Sequence, residues 1–173
     1  MTRGVRKRSG GRGRRSTIAA VVAAVALVAV VLGPWSGGTA GAASAPKCPI
    51  TSNGYMDPNY TPNPPVRSHV GGGGFVLTGI VRSGIDCKPL ARVRVEIWHA
   101  GPNGSYDTIH RATVITDGEG RFRLETDFPG SSFGQPHIHV RVAVAGFKTT
   151  ATAFLPKPGT KTGEMEIVLE PEV

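Results

Sequence analysis

The stretch "GQPHIHVRVAVAGF", residues 134–147, carries two histidines two positions apart. On a β-strand residues i and i+2 point the same way, about 6.7 Å apart along the chain. His137 and His139 could therefore converge on one ion, since neutral imidazole is a ligand for iron, copper, nickel and zinc. Two solvated side chains on an edge strand have the same spacing, so a site needs further donors. Tyr106, in the turn "GPNGSY" that follows the alternating run "VEIWHA", is the second residue singled out. A lone turn tyrosine can equally be a packing cap.

The segments that must position these residues read as β-structure. In "ARVRVEIWH", Val93, Val95 and Ile97 share one face, and Arg92, Arg94, Glu96 and Trp98 share the other. In "HIHVRVAVA", Ile138, Val140, Val142 and Val144 alternate with His137, His139 and Arg141. Five more short segments, "FVLTGIVR", "TIHRATVIT", "RFRLET", "TATAFL" and "EMEIVLE", are separated by Gly, Asp, Asn and Pro turns. Seven short strands at even spacing, with no helical period, predict an all-β antiparallel β-sandwich. His99 lies on the apolar parity of its strand and reads as a buried or edge histidine. His69 and His110 read as surface residues, Asp117 as the opening of a D-G turn, and Trp98 as packing near the site.

Before this domain, residues 1–42 read as a signal peptide. Seven basic residues and no acid precede and accompany "IAAVVAAVALVAVVL", which is shorter than the ~20 apolar residues of a spanning helix. Cleavage is expected after Ala40-Gly41-Ala42. Arg14-Arg15 ahead of the apolar run permits the twin-arginine route as well as ordinary secretion. Of the 20 Lys and Arg, 13 remain after the leader against all 12 acids, a net charge of about +1. The mature chain therefore has no nucleic-acid footprint, and no stable membrane insertion is expected once the leader is removed. Residues 43–74 form a Pro/Gly-rich extended arm and linker, ordered only if it lies on something, and residues 75–173 form the sandwich. In an exported chain, Cys48 and Cys87 most simply make one disulfide tying the arm to the domain.

Taken in order, "VEIWHAGPNGSY", "TDGEGRFRLET", "PG" and "PHIHV" resemble the catalytic domain of intradiol ring-cleavage dioxygenases, from about Leu77 to Pro156. The resemblance implies an intradiol/prealbumin-like sandwich holding a non-haem Fe(III). It also implies cleavage of a catechol-type diol between its hydroxyl-bearing carbons by both atoms of O2. Tyr106 matches the family's first tyrosinate, and His137 and His139 match its two histidines. These three are the expected metal ligands and catalytic residues, and a small aromatic diol and O2 are the expected partners. A phenolate is a hard oxygen donor suited to a ferric Lewis acid.

The departures are specific. The family's second tyrosine falls at Ser132, beside Phe133, which has no ligating atom. Its arginine falls at Gly134, and "TTATAFL" holds no glutamine where the family has one. A missing preorganised charge can cost about 2.7–4 kcal/mol of barrier. Tyr55 or Tyr60, folding back from the arm, is the expected replacement donor, with water equally compatible. Two other readings are a non-catalytic extracellular binding module with a vestigial site, and the same three ligands loaded with copper or zinc.

Overall fold

The computed structural model describes residues 48–54, 57–132 and 134–172. The leader, the first residues of the arm, Tyr55 and Phe133 lie outside the described residues. Seven strands follow in order: β1 (Phe75–Ser83), β2 (Arg94–Ala100), β3 (Tyr106–Ile115), β4 (Arg121–Thr126), β5 (Ile138–Val142), β6 (Thr150–Phe154) and β7 (Thr162–Leu169). They make two sheets, β4-β1-β7 and β3-β2-β5-β6. No helix among the described residues is long and apolar enough to cross a membrane. The all-β sandwich expected from the alternation is the fold, with one pairing outside the antiparallel rule. β1 and β7 run parallel, from Val76 opposite Thr162 to Ser83 opposite Leu169. Alternation decides which face a residue takes and carries no information on strand direction.

Phe75, Leu77 and Val81 of β1, Val95 and Ile97 of β2, Leu124 of β4, Ile138 and Val140 of β5, and Ile167 and Leu169 of β7 fill the core. Each buried side chain of this kind contributes roughly 1.5–3 kcal/mol. The outer faces of β2 and β5 are dry as well: Glu96, Trp98 and His139 are all buried. Their cover is the arm. Thr51 donates to the Val168 carbonyl (3.0 Å), and the Asn53 side chain bonds the Thr149 carbonyl (2.9 Å) and the Ala151 amide (3.0 Å). Farther along, Thr113 donates to the Pro65 carbonyl (2.8 Å) and Val70 to that of Glu125 (2.9 Å). The strap thus runs from β7 and β6 across to β3 and β4, and the expected Cys48–Cys87 disulfide joins its start to the turn after β1.

His110 departs from its surface reading; it is buried. The cause is an irregularity in β3: Trp98 pairs with Arg111 and Ala100 with Tyr106, so residues 107–110 face only His99. His110 folds inward, Nδ1 2.9 Å from Asp107 Oδ2 and Nε2 2.8 Å from Asp127 Oδ2. His69 stays exposed near Glu125. Asp117 has its turn role, its Oδ1 accepting the Glu119 (2.9 Å) and Arg121 (2.8 Å) amides.

His99 is buried as its parity implies and links the two sheets. Its Nδ1 donates to the Ala100 carbonyl (2.8 Å), leaving Nε2 to accept from the Thr126 hydroxyl (2.7 Å). Burial pushes the His99 pKa down to about 4 from 6.5, with nearby His110 adding to the effect. The folded protein therefore resists a proton that the unfolded chain accepts. The stability contributed is whole above pH 6.5 and is lost as pH falls toward 4, up to about 3 kcal/mol. Urea unfolding of the metal-free protein at a series of pH values should show this loss, and His99→Gln should flatten the acid slope.

Candidate metal centre

The outer face of β2 sets the site. Trp98 stands opposite His139 of β5 and Ala100 opposite Tyr106 of β3. Since His99 faces Ile138, continuing the antiparallel register puts His137 across from Ala100 on its other side. Tyr106 and His137 thus flank a residue whose side chain is one methyl group, which leaves room for the phenol to reach over. The Tyr106 hydroxyl lies 3.2 Å from His137 Nε2 and 3.0 Å from His139 Nε2. The three residues expected to form the site are brought together.

Two glycines make the placement of Tyr106 possible. The turn before it is closed by Gly104 donating to the Gly101 carbonyl (2.8 Å) and Gly101 donating to that of Ser105 (2.9 Å). Gly104 has φ +80, and a Cβ there would meet the Ser131 carbonyl oxygen at 2.6 Å. A Cβ on Gly130 would sit 2.6 Å from the Gly104 nitrogen. The "GPNG" turn and the "PG" step are therefore in backbone contact. That contact seats the loop leading to the histidines against the turn leading to the tyrosine.

The imidazoles are oriented from behind. His137 Nδ1 donates to the Gln135 carbonyl (2.9 Å), so Nε2 is the nitrogen turned to Tyr106. His139 stacks on Trp98, with ring centroids 5.0 Å apart and planes 9° from parallel. Burial lowers the His139 pKa to about 4, opposed by Asp57 and reinforced by His137. Burial, with Asp57 next, raises the Tyr106 phenol to about 12, and Arg111 opposes that rise. The metal-free phenol is therefore protonated near neutrality.

Tyr60 does not take the fourth position expected of it. Its hydroxyl donates to Glu96 Oε2 (2.8 Å), and the same carboxylate accepts from Asn63 N (3.1 Å) and Arg141 Nη1 (2.8 Å). These hydrogen bonds outweigh the effect of burial and hold the Glu96 carboxyl below its ordinary range. The arm residue that reaches the cluster is Asp57, with Oδ2 2.9 Å from His139 Nε2 and 2.8 Å from Trp98 Nε1. Sequence reasoning passed over it. The available signal was that Asp57 is the sole acid before Asp86, in a Pro-rich stretch where acids are otherwise absent.

Donors sharing an ion at about 2.0–2.2 Å stand about 2.8–3.6 Å apart at octahedral or tetrahedral edges. The separations here, 2.9–3.2 Å, lie in that interval. Among the described residues no three His, Cys, Asp or Glu side chains form a metal site by themselves. The donors meet only when the phenol of Tyr106 is counted. Two nitrogens, a phenol and a carboxylate suit a hard ferric ion, so the residues fit the group the resemblance implies. A groove of about 450 Å³ lined by Thr78, Arg121, Arg123 and Glu164 lies mainly on the other sheet and holds none of these donors.

The sandwich is similar to that of intradiol ring-cleavage dioxygenases. No family model matches the chain. The chlorocatechol 1,2-dioxygenase of Pseudomonas putida is 27% identical over a 107-residue alignment covering 46% of this chain and 41% of that protein. The chain thus spans about two fifths of the length of the curated relatives it matches. The dioxygenase domain of a dioxygenase–carbohydrate-binding protein fusion from Streptomyces sp. SirexAA-E superposes with TM-score 0.62 at 24% identity, covering 72% of this chain and all of that one. The intradiol ring-cleavage dioxygenase of Tetranychus urticae gives TM-score 0.63 at 17% identity, over 72% and 96% of the two chains.

Because the strap is fastened at Glu96, Glu96→Ala should loosen it without touching a donor atom. The loss of a buried pair leaves Tyr60 and Arg141 without their acceptor, a cost of about 2–3 kcal/mol after allowing for the partial exposure of Arg141. Denaturant unfolding checks the magnitude. Hydrogen exchange should rise in residues 57–67 before the core strands respond.

Proposed function

We propose that this domain is an exported non-haem Fe(III) dioxygenase of the intradiol type, inserting O2 into a small catechol-like aromatic diol. The observation that carries the reading is the Tyr106 hydroxyl 3.2 Å and 3.0 Å from the two histidine Nε2 atoms, on an intradiol-type sandwich. The relatives named for chlorocatechol favour a catechol-type ring as the substrate class. The proposed reaction balances without another oxidant. The bond between the two hydroxyl-bearing carbons breaks, each carbon gains one atom of O2, and the diol becomes a dicarboxylic acid.

A ferric ion, when bound, supplies Lewis acidity that withdraws electron density from the deprotonated diol and opens its ring to O2. Tyr106 gives up its phenolic proton to become an anionic donor, and the positive charge of Arg111 favours that loss. His137 presents Nε2 because Nδ1 is held by Gln135. Trp98 covers His139 on one side and excludes water there. Ser131, Gly134 and Gln135, in the loop that leads to the histidines, are exposed, and a small diol would approach from this side. Gly134 brings no cation to this approach, and β6 brings no glutamine. Turnover should therefore be slow, by about 10²–10³ for each absent preorganised group.

Export is part of the same reading, supported by the Cys48–Cys87 disulfide, which persists outside the reducing cytosol. The division into a leader 1–42, an arm 43–74 and a catalytic sandwich 75–173 belongs to it as well.

The test is spectroscopic. Iron loaded into the purified protein should bind one ion per chain and give a visible tyrosinate charge-transfer band. That band should change on adding catechol without air, and then decay with O2 uptake and a product 32 Da heavier than the diol. Tyr106→Phe should remove the band. A loaded protein that stays colourless would end the ferric-tyrosinate reading. A coloured protein that never consumes O2 would instead favour a binding module built on the same site.

A further inference from the structure

We infer that Asp57, carried by the arm, is the fourth protein ligand of this metal centre. The inference rests on the reading of Tyr106, His137 and His139 as its other three donors. Asp57 Oδ2 stands 2.9 Å from His139 Nε2, and its side chain is only 6% exposed. The Tyr106 hydroxyl lies 3.0 Å from the same His139 Nε2, so the carboxylate and the phenol converge on one nitrogen. Tyr60, the arm's described tyrosine, is bonded to Glu96 instead.

Burial of this carboxylate calls for a cation. An ionised carboxylate is costly to move out of water unless it is paired and hydrogen-bonded. Asp57 is well supplied with neutral donors: Trp98 Nε1 on Oδ2 (2.8 Å), and the Asn59 amide (2.9 Å) and side chain (2.8 Å) on Oδ1. Among the described residues, no Lys or Arg forms an ion pair with this carboxylate; its partner in an ion pair is His139. Asp57, His139 and Tyr106 thus meet within hydrogen-bond distance at a point where no described Lys or Arg is paired with the carboxylate. A metal ion balances its charge.

The donor chemistry agrees. A carboxylate and a phenolate together bring two negative charges to a trivalent ion, with two nitrogens completing the set. The Trp98 and Asn59 hydrogen bonds then act as the outer contacts that orient a ligating carboxylate. Trp98 serves both sides of the site at once, stacking on one ligand and donating to another.

The experiment compares Asp57→Asn, Asp57→Glu and Tyr106→Phe in the full chain. It reads iron stoichiometry, affinity against a competing chelator, and the visible spectrum, with Tyr60→Phe as a control that weakens the arm without removing a donor. Losing an outer partner alone costs 10–100-fold in affinity. Asp57→Asn should therefore weaken iron binding by about 100-fold or more and move the tyrosinate band to longer wavelength, as the ion loses an anionic donor. Asp57→Glu, keeping a carboxylate, should retain more affinity than Asp57→Asn, and Tyr60→Phe should change it by less than about 3-fold. Wild-type affinity and an unshifted band in Asp57→Asn would overturn the ligand assignment while leaving the site reading intact. An equal loss in Tyr60→Phe and Asp57→Asn would overturn it too, by showing that Asp57 acts only through the arm. Should Tyr106→Phe also keep colour and affinity, the site reading fails with it.

Discussion

The carboxylate of Glu96 takes hydrogen bonds from the Tyr60 hydroxyl, the Asn63 amide and the Arg141 guanidinium. Through it an extended chain with no strand of its own is fastened to the outer face of a sheet. Arg141 also lies 5.1 Å over the Tyr60 ring, and that ring packs 5.1 Å from Trp98. The two charges are neutralised by each other and by hydrogen bonding, which is the condition under which buried ions are tolerated. Once the strap is seated, Trp98, His139 and Thr113 lose contact with water on a face that would otherwise be solvated. The Tyr106, His137 and His139 cluster lies at the seam between sheet and strap, where Asp57 of the strap reaches His139.

That arrangement explains why the site residues need so much backbone engineering around them. Tyr106 begins β3 directly after a turn, and the histidines begin β5 directly after a loop. Both lead-ins are mobile by nature unless something holds them. The backbone contact of Gly130 with Gly104 holds them against each other, and the Asp107–His110–Asp127 cluster anchors the residue after Tyr106 to the end of β4. The phenol is therefore aimed by two constraints, one on each side of it.

Much of this was legible from alternation. The inward Val95, Ile97, Ile138 and Val140, the buried His99 and the shared face of His137 and His139 follow from period-2 placement. The meeting of Tyr106 with His137 and His139 was expected from motif order. What escaped the sequence is nonlocal. The inward turn of His110 depends on extra residues in β3 that shift its parity against β2. The parallel β1–β7 pairing depends on where the last crossover lands. The path of the arm depends on hydrogen bonds to Glu96, Thr113 and Arg111 that no local pattern announces. Tyr60 was the reasonable choice for a missing phenol. Its hydroxyl turns instead to Glu96, a charged acceptor within reach, and Asp57 is the arm residue found beside His139.

The parallel pairing of β1 with β7 bears on how the molecule is assembled. Val76 meets Thr162, 86 positions later, so the three-stranded sheet lacks its third strand until almost the whole chain has emerged. Contacts of such long sequence separation slow folding, since the loop must close before any pairing rewards it. The strap can settle only once β6 and β7, which it bonds, are in place. Closure of the candidate site thus belongs to the end of folding, and Asp57 reaches His139 only in a chain that has already attained its native topology.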